Sequence, residues 1–307
     1  MTAARRLRLS RSPLWGRLAI ISVFLGLVPI RASGQSGTEP ATLDGLPTFV
    51  AQGQLPFWLS SGYLIEVEGR IGRQGNLKFL LDTGSTISIV DRHIADNLKL
   101  QRHRAESLSF EKKLAWEVGT VPEVQFGPIK AQNVQMLVGS LAEYSEFAKK
   151  ADAIIGLDLL KMSNFSIEFE TKKIIFHAAE QRPSASSNDP LANCLVLEAQ
   201  VQGQPLRLLV DTGFPGILLY EEQVRQRIPS LRVAGNVTNV VVGKNLKAKQ
   251  AIVTHVSLGG TIRDLTVLFV TSPSPEMLHG IDGIVGITAL KARRVHFDFV
   301  EKTVNWE

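Results

Sequence analysis

A chain of 307 residues, 44% hydrophobic and 21% charged, has room for two modest domains and enough apolar material for a packed core, which excludes wholesale disorder. Its formal net charge of +5 sits at one end: residues 1–34 carry six arginines and no acid, and taking six from the 34 basic residues leaves 28 against 29 acidic ones. No basic stripe remains to argue for a nucleic-acid partner. The one cysteine, Cys194, excludes an internal disulfide and reads as a small buried hydrophobe beside Leu195 and Val196.

The first predicted element, residues 1–34, is a signal peptide. Arginines precede the apolar run Leu18–Val28, which is short for a bilayer span, and Ala32 and Gly34 suit cleavage before Gln35. An exported protein with no integral membrane domain after processing is expected; an uncleaved N-terminal anchor is the alternative. Residues 35–54 form a polar N-terminal extension. From residue 55 the pattern is mostly β, and it occurs twice. The strand–turn–strand reading of "GYLIEVEGRIGRQGNLKFLLDTG" returns as "CLVLEAQVQGQPLRLLVDTG", which places Asp82-Thr83-Gly84 and Asp211-Thr212-Gly213 in register. "VQFGPIKAQNVQMLV" returns as "VSLGGTIRDLTVLFV", "ADAIIGLDLL" as "IDGIVGITAL", and "FSIEFETKKIIF" as "RVHFDFVEKTVNW". Equal order and near-equal spacing make the chain two copies of one β unit, residues 55–178 and 191–307, joined by a Ser/Ala/Pro-rich linker at 179–190. Helical patterns are short: Asp91–Leu100, Leu141–Lys150 and Glu221–Ile228, with a further short helix expected after "IIGLDLL" and after "IVGITAL".

A carboxylate inside an apolar run is costly to bury alone. Two at matching points of two copies are expected to meet across a pseudo-twofold axis. Gly84 and Gly213 let each loop turn where a side chain would clash, and Thr83 and Thr212 carry hydroxyls that can brace it. Two carboxyl groups at hydrogen-bond distance cannot both ionise cheaply, so the pair holds one proton over a range of pH. The ionised member can then take a proton from water while the protonated member hydrogen-bonds a scissile carbonyl, which suits peptide hydrolysis without metal or cofactor.

"DTGST" followed by "AIIGLDLL", and "DTGFP" followed by "GIVGITAL", resemble the retropepsin-like and pepsin-like aspartic peptidases over roughly residues 60–307. The resemblance implies two tandem acid-protease lobes in one monomeric chain, a polypeptide substrate, and Asp82 and Asp211 as the catalytic pair. It also implies that Gly156 and Gly286 support the two loops from below. Flaps are implied near Ser109–Thr120 and Gly235–Lys249, with Trp116 a candidate cleft residue. Ser85 fits the family's small residue after the triplet, and its hydroxyl is expected to bond the outer oxygen of Asp82. Phe214 departs from that pattern, and motivates the alternative of a non-catalytic peptide-binding protein. The six histidines lack metal-ligand spacing, and no Gly-x-Ser-x-Gly is present.

Overall fold

The computed structural model describes residues 26–27, 52–109, 112–144, 148–177, 194–242, 246–271 and 280–307. The linker at 179–190 and all but two residues of the expected signal peptide lie outside them. Those two, Gly26–Leu27 (β1), pair with Leu108 and Ser107.

The first lobe contains β2 (Gly53–Ser60), β3 (Leu64–Ile71), β4 (Gln74–Leu81), β5 (Ile89–Asp91), β6 (Arg102–Ser109), β7 (Lys112–Phe126), β8 (Ile129–Gly139), β9 (Ala153–Ile155), β10 (Phe165–Glu168) and β11 (Lys173–Phe176). The second repeats this set from β3 onward: β12 (Val196–Val201), β13 (Gln204–Asp211), β14 (Ile217–Tyr220), β15 (Val233–Val242), β16 (Leu246–Leu258), β17 (Thr261–Val270), β18 (Gly283–Gly286), β19 (Arg294–Asp298) and β20 (Thr303–Trp306). The first strand begins two residues before the expected boundary at 55. Three short helices fall within the patterns, as α1 (Arg92–Asn97), α2 (Leu141–Tyr144) and α4 (Glu221–Arg227), whereas α3 (Leu157–Leu160) and a single 3-10 turn (Ile287–Leu290) lie inside "IIGLDLL" and "IVGITAL" rather than after them.

Pairing repeats as faithfully as order. In the first lobe β4 runs parallel to β9 and β5 parallel to β8; in the second β13 runs parallel to β18 and β14 parallel to β17. A β3–β7 contact at Arg70↔Gln125 has its counterpart in β12–β16 at Gln200↔Ser257. The alternation of each strand separates two faces. Val210, Ile217, Leu219 and Val285 enter a core cluster that continues through both lobes, with Phe57, Phe79, Phe126, Phe165, Phe176 and Phe297 among its members. Leu209, Leu218, Tyr220 and Ile284 enter a separate cluster on the other face, and Leu64, Leu80, Ile89 and Ile154 form the matching one in the first lobe.

The lobes are not separate bodies in sequence order. The hairpin β19–β20 leaves the second lobe and adds to the first lobe's sheet, giving the edge order β2-β11-β10-β19-β20. Phe165 and Phe297 stack across this seam with ring centroids 4.7 Å apart, and Arg294 bonds Glu168 at 2.6 Å. Ser166 Oγ lies 3.0 Å from both His177 Nε2 and His296 Nδ1.

Candidate active site

Each triplet follows a strand that is apolar on both faces because sheet neighbours and core enclose it. Asp82 leaves β4 as its N–H donates to the Ile155 carbonyl at 2.9 Å, and Asp211 closes β13 opposite Gly286. Both carboxylates are buried, at 1% and 0% exposure. Each folds back on its own loop, accepting at Oδ1 from the N–H two residues on: Gly84 at 2.9 Å and Gly213 at 2.7 Å. That fixes the plane of each carboxyl group.

The threonines do more than brace their own loops. Thr83 Oγ1 donates to the Val210 carbonyl at 2.9 Å and accepts from Thr212 N at 3.1 Å. Thr212 Oγ1 donates to the Leu81 carbonyl at 2.7 Å and accepts from Thr83 N at 3.0 Å. Four buried hydrogen bonds therefore lock one loop to the other, with each hydroxyl spending both donor and acceptor on the opposite lobe. The lock seats the Asp211 carboxylate against the Asp82 loop. A Cβ placed on Gly84 would stand 2.6 Å from both Cγ and Oδ2 of Asp211, so only a glycine there admits the second carboxylate.

Gly156 and Gly286 pack closely against backbone atoms of the residues that follow the two triplets. A Cβ on Gly156 would come within 2.9 Å of the Ile87 and Ser85 carbonyl oxygens, and one on Gly286 within 1.8 Å of the Phe214 carbonyl oxygen. Their backbones are used as well: Gly156 N donates to Ser88 Oγ at 2.9 Å, Leu157 N to Ser85 O at 2.8 Å, and Gly286 N to Gly216 O at 2.7 Å.

One expectation about the residue after the triplet needs correction. The Ser85 hydroxyl does not serve the Asp82 carboxylate; it donates to the Ile87 carbonyl at 2.8 Å, because that acceptor lies within the same tight turn. Phe214, at the matching place in the second lobe, turns into apolar packing. Its ring is 1% exposed and packs in the apolar cluster with Leu218, Tyr220, Leu268 and Ile284. Trp116, the candidate cleft residue, is half-buried on β7. It packs against the first lobe's corresponding cluster, with its ring edge over Gly139. The two stretches expected to be flaps are the β6–β7 and β15–β16 hairpins, whose tips lie outside the described residues.

Sequence reasoning missed Asp158, Tyr220 and a second pair of carboxylates. Asp158 Oδ1 accepts from Ser88 Oγ at 2.7 Å and Oδ2 from Ser88 N at 3.0 Å, stapling the strand that leaves the Asp82 loop. Burial pushes its carboxyl up to about 6 despite the Ser88 bonds. In the second lobe Thr288 holds that place and donates to the Pro215 carbonyl at 2.8 Å. Asp152 and Asp282 each accept a strand N–H at matching positions, Lys78 and Arg207, both at 2.8 Å. The repeated "ADAIIG" and "IDGIVG" carried the signal for that pair. Tyr220 is fully buried, and burial followed by the charge of Asp211 pushes its phenol up.

Among the described residues no group of three or more His, Cys, Asp or Glu side chains could hold a metal ion, and no helix is long and apolar enough to cross a membrane. A family model described as aspartyl protease matches the chain twice, at residues 67–159 and 197–289. Among solved structures, a retropepsin-like aspartic protease from Rickettsia conorii is similar at 17% identity and a TM-score of 0.30, over 41% of this chain and 89% of that one. No curated protein sequence matches. Two interlocked Asp-Thr-Gly loops, each on its own glycine and each inside its own family match, make this chain a member of the aspartyl protease family.

Proposed function

We propose that the protein is an exported, single-chain endopeptidase that hydrolyses peptide bonds with water activated between Asp82 and Asp211. The observation that carries this reading is the reciprocal Thr83–Thr212 lock, which joins the two carboxylate loops into one rigid centre. Oδ1 of each carboxyl group accepts from a glycine N–H of its own loop, which orients the pair. Two buried carboxyl groups at one centre share a proton, since ionising both there is costly. The ionised group takes a proton from water as it attacks. The protonated group donates to the scissile carbonyl oxygen as charge develops on it, and the proton passes on to the leaving nitrogen. Donors and dipoles set before the reaction add stabilisation without reorganisation.

Export rests on the arginine-rich, short apolar N-terminus. With both half-sites in one chain, a monomer suffices for catalysis. Asp82→Asn and Asp211→Asn should each lower cleavage of an unfolded protein by at least about 10³-fold while keeping the wild-type melting temperature, because each removes half of the acid–base work. Wild-type turnover in either folded variant would exclude the paired mechanism. A wild type that binds peptides and never cleaves them would instead establish the non-catalytic binding protein.

A further inference from the structure

The wall of the second lobe beside Asp211 contains a polar group that the paired carboxylates do not use. Tyr220 closes β14 with a side chain that is fully buried, and its hydroxyl has no hydrogen-bond partner among the described residues. Strand alternation decides where it points. Ile217 and Leu219 face the continuous core, whereas Leu218 and Tyr220 face the opposite side with Leu209, Leu268 and Ile284. That side is turned toward the first lobe, because Leu157, the residue after Gly156, packs in the same cluster. Phe214, three residues after Asp211, is there too. Burial and the nearby charge of Asp211 keep the phenol protonated, so it remains a hydrogen-bond donor.

A buried phenol normally finds a partner, and leaving it without one carries a desolvation cost. The first lobe has no such donor at the equivalent position. Asp91 stands there, and its carboxylate accepts from His93 N at 3.0 Å and Leu141 N at 2.8 Å. Phe214 and Tyr220 together also fill the apolar volume of this wall. What this cluster holds among its apolar side chains is one buried donor.

We propose that Tyr220 is a specificity-determining residue: its hydroxyl donates to an acceptor on the peptide side chain that enters on the Asp211 side of the scissile bond. The protein then selects an acceptor-bearing residue there over an apolar isostere, whose binding leaves the phenol buried and unpaired. A site built around a hydrogen bond rejects the analogue that lacks it far better than an apolar pocket rejects one methylene. This assignment rests on the peptidase reading above.

The test is cleavage of peptides that differ at one position by an isosteric pair, Thr against Val and Asn against Leu, scanned through the positions flanking the cut. Wild type should prefer the acceptor-bearing member at one position by about tenfold or more in kcat/KM, which is ~1.4 kcal/mol or more. Tyr220→Phe, which keeps the ring, should bring that ratio close to one with an unchanged or higher melting temperature. The proposal is overturned if wild type shows no such preference or if Tyr220→Phe retains it. A melting temperature that falls with selectivity intact would show instead that the hydroxyl serves the fold. If wild type cleaves nothing, the peptidase reading fails separately, and the same pairs are measured as affinities of the full chain. A preference that Tyr220→Phe removes then supports the donor, and equal affinities overturn it.

Discussion

The two triplet loops have one backbone and two kinds of filling. Around Asp82 the support is polar: Ser85 bonds the Ile87 carbonyl, and Ser88 is held by Asp158 and in turn receives Gly156 N. Around Asp211 it is largely apolar: Phe214 replaces Ser85, Ile217 replaces Ser88, and Tyr220 replaces Asp91, all of them buried. A large side chain gained on one strand is matched by a small one on its neighbour. Trp116 over Gly139 in the first lobe corresponds by register to Ala248 and Val270 in the second. The loops and their hydrogen bonds agree between the lobes, while the side chains packed around them differ in size and polarity.

That contrast can be broken most forcefully at the residue after each triplet. Phe214→Ala should cost about 3–5 kcal/mol, the usual range for emptying a buried phenylalanine site. Ser85→Ala should cost only ~1 kcal/mol, the worth of one buried hydrogen bond. Denaturant titration of both variants measures the difference, and equal losses would mean that the fillings are not distinct. Phe214→Ser belongs with the larger loss. Its new hydroxyl would lie in the apolar cluster and give Asp211 no donor. The next effect tests the element the lobes share. Thr83→Val and Thr212→Val each remove one hydroxyl that donates once and accepts once, so each should cost about 1–3 kcal/mol. The double variant should cost less than the sum, because the four bonds form one network. Full additivity in a double-mutant cycle would show the two hydroxyls to be independent.

The smallest effect belongs to the polar staple of the first lobe. Burial raises the Asp158 carboxyl from 3.8 to about 6, so the folded chain binds its proton more tightly than the unfolded chain. The stability this contributes is complete below about pH 4 and is lost as pH rises through about 6. Asp158→Asn cannot ionise. It should flatten melting temperature against pH across that window and raise it at pH 7 by about 2–4 °C, the shift ~1 kcal/mol gives a domain of this size. A thermal-melt series that keeps its pH slope in the variant would assign the slope to another group.

The doubled Asp-Thr-Gly, the late glycines and the short helices were legible because each is a local pattern that a repeat displays twice. What stayed hidden depends on partners far along the chain. Thr83 reads as a local brace, and its true partners are 127 and 129 residues away. Asp158 looks like an ordinary carboxylate at the start of a short helix until Ser88, 70 residues earlier, is placed beside it. Tyr220 ends the run "ILLY", in which nothing local separates a core phenol from one turned toward the other lobe. The hairpin β19–β20 matches β10–β11 in sequence, and sequence alone cannot tell that the two pair with each other.

That hairpin bears on how the protein is made. Strand β10 is complete by residue 168, yet the neighbour covering its open side begins at residue 294. Until then Phe165–Glu168 presents an unpaired strand edge, the kind of surface on which chains aggregate. Contacts so distant in sequence also make folding slow. During synthesis the first lobe therefore waits, one edge uncovered, for more than a hundred residues of the second, and a fragment ending at the linker would never close it.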